Sequence, residues 1–338
     1  MNLDELWRSL EAGVGGQSPE PGVTVRRIDP DARDGLFAGI RRPSGTRMLL
    51  LRTISPPRPS DGPLIQSRGF VTAVNRFSGD STHLHLFIES AASSFNEVFG
   101  YVAGDVAEHV FRRPASFQAI AAFLGRLDRW KRFFETAGED GLSEISAQGL
   151  LAELLFLRDF AIVESESPEA AVSSWAVPEP LSKDFQYSNG AIEVKCSASR
   201  EHTKVHISGE RQLDGTGLVS LYLFAVLLER VAVAGFSLPE TVISVRDILG
   251  DGIARGLFEE KLLEYGYLDV HVPRYDRRYI LQRVRAFQVR GGFPRVPAIL
   301  PDGVGDLKYT LALSACAPFE VDPGVLRALV RGSRSHDT

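Results

Sequence analysis

Lys183-Asp184-Phe185-Gln186-Tyr187-Ser188-Asn189-Gly190-Ala191-Ile192-Glu193-Val194-Lys195 is the stretch on which the reading of this chain turns. Two short alternating runs flank Asn189-Gly190. Asn-Gly between such runs is the strongest local hairpin signal, because a two-residue type I′ turn needs positive φ at both central residues. With the bend on Asn189 and Gly190, Ser188 pairs with Ala191, Gln186 with Glu193 and Asp184 with Lys195. Side chains alternate along strands, so Asp184, Gln186, Glu193 and Lys195 share a face, and Phe185, Tyr187, Ile192 and Val194 take the other. Directly opposed residues lie roughly 5 Å apart and diagonal ones roughly 7–8 Å. Asp184 and Glu193 are then close enough to grip one divalent cation, with the Lys195 ammonium beside it. That geometry depends on the register, and a bend shifted by one position is expected to collapse it.

A further carboxylate lies upstream, in Gly149-Leu150-Leu151-Ala152-Glu153-Leu154-Leu155-Phe156-Leu157. At 100° per residue Glu153 shares a helix face with Ser146, Gly149, Leu150, Phe156, Leu157 and Phe160, away from Gln148, Arg158 and Glu144. A carboxylate among apolar neighbours is costly unless paired or bound to metal. The bland alternative is a helix apolar nearly all round, with Glu153 bordering a cleft. For Asp184, Glu193 and Lys195 the bland alternative is an exposed, salt-bridged strand face.

Asp184 followed by Glu193-Val194-Lys195 resembles the core motif of the PD-(D/E)XK nuclease superfamily, with Lys183 standing where a proline is usual. Glu153 resembles the helix glutamate that many of these nucleases carry ahead of the sheet. The pattern is closer still to a bacterial family of unknown function within the superfamily, through Glu153, Trp175, Asp184-Phe185, Ile192-Glu193-Val194-Lys195, Gln212-Leu213 and Phe293-Pro294-Arg295. The resemblance implies an α/β (α+β) restriction-endonuclease-like core, a mixed β-sheet flanked by helices. It also implies Mg²⁺- or Mn²⁺-dependent hydrolysis of DNA phosphodiesters in the manner of a restriction or defence-associated endonuclease, with RNA left open as substrate. Asp184, Glu193 and the Val194 carbonyl would be metal ligands, a set that suits Mg²⁺ because it retains several waters. Glu153 would hold a water or a second ion, and Lys195 would orient the attacking water or neutralise charge developing on the phosphate. Gln186 and Gln212 could hydrogen-bond substrate, although a structural role suits both better. A second reading is a non-catalytic nucleic-acid-binding or complex-forming component that keeps the fold. A third is an interaction scaffold whose acid-lysine face is only polar surface.

The composition is that of an ordinary globular protein: 338 residues, 44% apolar, 24% charged, with a formal charge of -5. That charge gives no global attraction to nucleic acid, so any attraction has to be local. Seven arginines between Arg274 and Arg295, Arg285 and Arg295 among them, stand against one acid, Asp276. Interleaved with Tyr275, Tyr279, Phe287 and Phe293, they read either as a strip tracking a phosphate backbone or as a solvated face paired with the preceding acidic helix. Cys196 and Cys316 are the only cysteines, which argues against a disulfide framework or a cysteine zinc site. His83-Leu84-His85 reads as plain strand surface before it reads as a zinc pair, and His202 and His206 are weak candidates for proton transfer. The acidic, amphipathic start and the short apolar run Leu218 to Leu228 point to a cytoplasmic protein with no membrane segment. Two symmetric sites would cut both strands of a duplex, so a homodimer is expected, and defence-system proteins are candidate partners.

Along the chain, strand-like runs at Val23–Ile28, Leu36–Ile40, Met48–Thr53, Phe70–Arg76 and His83–Glu89 predict a β-rich N-terminal domain over residues 1–115. Residues 116–338 would form the nuclease-like domain, with its motif core at 146–229. Helices are expected over Ser94–Glu108 and Pro114–Thr136, then from a Ser143 cap through Glu153. Further helices are expected from the Ser237-Leu238-Pro239-Glu240 capping box to Leu249, and over Ile253–Tyr265 with Gly266 as terminator. Glu164 to Pro180 reads as a loop. Leu218–Leu228 reads as a central strand covered on both faces, and Val205–Ile207, Ile280–Val289 and Leu307–Leu313 as further strands.

Overall fold

A computed structural model describes residues 3–12, 21–28, 35–53, 56–58, 61, 64–77, 80–111, 116–136, 141–176, 183–198, 203–296, 300–301, 305 and 307–332. The glycine-rich break at 13–16, most of the 55–63 loop and His202 lie outside the described residues. The chain divides into two compact units, Met1–Gly141 and Leu142–Thr338.

In the first unit, β1 (Gly22–Arg27), β2 (Leu36–Arg42), β3 (Arg47–Thr53), β4 (Phe70–Phe77) and β5 (Asp80–Ser90) form an antiparallel sheet ordered β1-β2-β3-β5-β4. Helix α1 (Leu3–Ala12) buries Trp7 completely and donates its indole Nε1–H to the Gly39 carbonyl of β2 at 3.2 Å. The expected boundary at residue 115 falls between α2 (Asn96–Phe111) and α3 (Ser116–Thr136). Arg126 and Trp130 of α3 both donate to the Asp105 carboxylate of α2, at 2.5–2.8 Å, so α3 goes with the first unit.

The second unit opens with α4 (Glu144–Phe156), where the Ser143 hydroxyl accepts the Ser146 N–H at 3.1 Å. A π-turn at Leu157–Ala161 carries the chain into α5 (Ile162–Glu164). The expected loop after it holds a helix instead, α6 (Pro168–Ser174), capped by Ser167 with proline in its first turn. Then follow β6 (Phe185–Tyr187), β7 (Gly190–Ser197), β8 (Lys204–Ile207), β9 (Leu221–Val231), α7 (Leu238–Leu249), α8 (Ile253–Tyr265), β10 (Arg278–Gln288), β11 (Tyr309–Ala312), β12 (Glu320–Val321) and α9 (Gly324–Arg331). The capping box at Ser237 and Glu240 forms, and Gly266 ends α8 at φ 100°, a left-handed position that favours glycine.

The main sheet is mixed, ordered β12-β10-β9-β7-β6, with β7 parallel to β9 and the other pairs antiparallel. Its middle strand, β9, is buried on both faces, as a continuous apolar run requires. Tyr222, Phe224, Val226 and Leu228 face a core built with α4, α7 and α8. Leu221, Leu223, Ala225 and Leu227 face a second core with Val205 and Ile207 of β8 and Leu311 of β11, which pair in a two-stranded sheet. This is an α+β architecture of the restriction-endonuclease-like kind.

The hairpin register differs from expectation. Phe185 pairs with Ile192, Gln186 with Ala191 and Tyr187 with Gly190, so Ser188-Asn189 is the bend and Gly190 is the first strand residue. Gly190 serves a close approach rather than the turn centre. A Cβ there would lie 2.2 Å from Ser220 Oγ, and the residue sits at φ +153°. This is the one-position shift expected to collapse the site geometry, and that expectation is itself corrected: moving a bend by one residue moves the pairing by two, so every side chain keeps its face. Asp184, Gln186, Glu193 and Lys195 still share one, and continuing the register sets Asp184 opposite Glu193 instead of Lys195.

Candidate active site

Strand β7 lies between β6 and β9, and its alternation sends Ile192 and Val194 into the helix-side core and Ala191 into the other. Glu193 and Lys195 have the parity of Ala191. The expected bland alternative of an exposed face does not hold, because the Glu193 side chain is 1% and the Lys195 side chain 14% exposed. Lys195 Nζ donates to Glu193 Oε1 at 2.6 Å, while Glu193 Oε2 is buried without a hydrogen-bond partner among the described residues. A buried anionic oxygen without a donor is expensive, so it marks a place where a cation or a proton belongs. Burial, and then the neighbouring Asp184 charge, push the Glu193 carboxyl up to about 8, against the opposing pull of Lys195.

Asp184 precedes β6, whose start is tied to Trp175 by a bridge at Phe185 and by the Ala176 N–H donating to the Asp184 carbonyl at 2.8 Å. The Asp184 carboxylate accepts the Val194 N–H at 2.6 Å, which fixes it across the hairpin beside Glu193. Desolvation raises its pKa, and Lys195 and the Val194 N–H lower it. Burial alone would lower Lys195, but Glu193 and Asp184 outweigh it and hold the ammonium charged. Gln186 is exposed.

Glu153 lies in a stretch of α4 where Leu150 to Phe156 are all buried, so the helix is apolar all round at that point. Its two oxygens are engaged: Tyr265 O–H donates to Oε1 at 2.7 Å and Trp175 Nε1–H to Oε2 at 2.8 Å. Desolvation, then the Asp184 charge, raise its pKa well above the usual range, so burial favours the neutral acid. Trp175 was legible as part of the resemblance, while Tyr265, far along the chain, had no sequence signal. Among the described residues, no three Asp, Glu, His or Cys groups lie together closely enough to hold one metal ion.

The other sequence candidates are mostly committed elsewhere. Gln212 Oε1 accepts the Ser208 N–H at 2.8 Å, a turn contact. Arg295 donates Nη1–H to the Leu213 carbonyl, so two stretches of the resemblance, Gln212-Leu213 and Phe293-Pro294-Arg295, meet beside the site. Arg285 holds Glu320 of β12 through two bonds of 2.6 and 2.8 Å and lies over the Phe287 ring. Arg277 pairs with Glu144 and Arg278 with Glu240. Arg277, Arg278, Arg283 and Arg285 of the strip are thus paired with acids of α4, α7 and β12. His206 accepts or donates weakly with Thr310 at 3.3 Å on the β8–β11 sheet.

Among the described residues no helix is long and apolar enough to cross a membrane. A family model described as "Putative PD-(D/E)XK family member, (DUF4420)" matches residues 3–314. Neither the curated proteins nor the solved structures contain a match to the chain.

Proposed function

The chain belongs to this PD-(D/E)XK family, whose membership suggests nuclease-like function, and on that premise we propose that it hydrolyses DNA phosphodiesters with a divalent metal ion. The observation that carries the reading is the buried Glu193 Oε2, which has no hydrogen-bond partner among the described residues, beside the Asp184 carboxylate and the Lys195 ammonium. PD-(D/E)XK nucleases generally use divalent metals, and two adjacent carboxylate side chains, one with a buried oxygen lacking a donor among the described residues, support such an ion here. Asp184 and Glu193 would hold a Mg²⁺ or Mn²⁺ ion, with the Val194 carbonyl as a further oxygen, and the ion would supply Lewis acidity toward the phosphate and its water. Two carboxylates suffice because Mg²⁺ keeps several waters of its own.

Lys195 then has two tasks. In the resting protein it neutralises Glu193; with DNA bound it places a fixed positive charge where the phosphate gains negative charge, or orients the attacking water. Fixed charges in a dry site act without reorganising, which makes this kind of stabilisation large. Glu153, held by Trp175 and Tyr265, serves best as a rigid flank or a holder of water. Lys195→Ala tests the proposal. Wild type with Mn²⁺ is expected to cut plasmid DNA, and the variant to lose at least about 100-fold in rate. Binding without cutting, indifferent to the substitution, would favour a non-catalytic nucleic-acid-binding component instead.

A further inference from the structure

Both carboxyl oxygens of Glu153 are claimed by donors from distant parts of the chain. Trp175 Nε1–H donates to Oε2 at 2.8 Å and Tyr265 O–H to Oε1 at 2.7 Å, and all three residues are buried. Two such donors would satisfy a buried carboxyl in any core. What points further is where the donors are anchored. Trp175 is the C-cap of α6, and its backbone bridges Phe185, the residue after Asp184. Beside that bridge the Ala176 N–H donates to the Asp184 carbonyl at 2.8 Å. The side chain that grips Glu153 and the backbone that seats Asp184 thus belong to one residue. Helix α8 locks it in place. Phe258, Lys261 and Tyr265 follow one face of that helix. The Phe258 and Tyr265 rings lie against the Trp175 ring at centroid distances of 5.9 and 6.2 Å. The Lys261 ammonium donates to the Ser173 and Trp175 carbonyls.

We propose that Trp175 and Tyr265 are positioning residues: together they fix the Glu153 carboxyl, and through Trp175 they fix it against the strand start that carries Asp184. As far as it concerns cleavage, the inference rests on the function proposed above; the holding of Glu153 does not. The two donors leave the carboxyl further hydrogen-bonding capacity toward a water at the site. A glutamate on an open helix face would search many rotamers, whereas this one is set before substrate arrives, and such preorganisation is what a catalytic constellation needs.

Two double-mutant cycles on Trp175→Phe and Glu153→Met decide it. Trp175→Phe keeps a ring in the core and removes the N–H, while Glu153→Met keeps the bulk and removes the acceptor. In EDTA, each single change leaves a buried polar group without its partner and should lower the melting temperature. The double variant should melt about 3 °C or more above the sum of the single shifts. Additive shifts would overturn the proposal. The second cycle follows cleavage of plasmid DNA with Mn²⁺. Trp175→Phe should lower kcat about tenfold with KM for DNA unchanged within about twofold. The double variant should be no slower than Glu153→Met alone, since Trp175 acts through Glu153. Cutting at the wild-type rate by Trp175→Phe, or losses that multiply in the double variant, would overturn the positioning role. If Trp175→Phe does not fold, Tyr265→Phe, which removes the other donor and keeps its ring, takes its place in both cycles under the same criteria. A wild type that does not cut DNA overturns the proposed function, and the EDTA cycle still decides whether Glu153 is held.

Discussion

Replacing Glu193 by glutamine should stabilise the metal-free protein, and by an amount that grows with pH. The Glu193 carboxyl is pushed up to about 8 by burial and by Asp184, against about 4.3 in an unfolded chain. Its folded-state pKa is raised, so the folded protein holds a proton that the unfolded chain has released. The associated stability is fully present below about pH 4.3 and is lost as pH rises toward about 8. Between pH 5 and pH 8 that loss integrates to about 3 kcal/mol, from 1.36 kcal/mol per pH unit. Glutamine does not titrate. The stability of Glu193→Gln relative to wild type should therefore rise by about 3 kcal/mol over the same interval, or roughly 10 °C in melting temperature for a unit of this size. The lost bond to Lys195 shifts the whole curve by a constant and leaves its slope intact. Urea or thermal unfolding in EDTA at four or five pH values measures it. Parallel curves for the two proteins between pH 5 and pH 8 would refute the claim that burial and the Asp184 charge raise the Glu193 carboxyl.

Gly190→Ala should cost more than about 2 kcal/mol, since the new Cβ would meet Ser220 Oγ at 2.2 Å and the Ser220 carbonyl oxygen at 2.6 Å; a near-neutral unfolding midpoint would contradict the close approach. Tyr265→Phe removes the 2.7 Å bond to Glu153 Oε1 and should destabilise by about 1–2 kcal/mol in urea. An unchanged midpoint would mean that Glu153 does not depend on that hydroxyl.

Much of this was readable from the chain because the relevant signals are local. The β9 strand showed itself as an unbroken apolar run, and the Ser143 and Ser237 caps and the Gly266 terminator fell where their side-chain chemistry demands. The hairpin was seen, but its bend was misplaced: Gly190 is glycine because Ser220 crowds it, a tertiary cause that mimics a turn signal. The face assignment survived because a one-residue shift of the bend preserves parity. Helix α6 was missed although Ser167-Pro168 is a start signal, since seven residues show too little periodicity. The partners of the arginines and of Glu153 lay far away in sequence. Arg285 finds Glu320, and Glu153 finds Trp175 and Tyr265, through the packing of separate elements.

The account centres on Asp184 and Glu193 jointly taking one divalent ion. Titration of the protein with Mn²⁺, followed by calorimetry at pH 7.5, tests this directly, with Asp184→Asn and Glu193→Gln beside wild type. One ion per chain in wild type, with proton release and an affinity that falls at least about tenfold in each variant, is the expected result. Uptake that is absent in wild type, or that survives both substitutions unchanged, would contradict it.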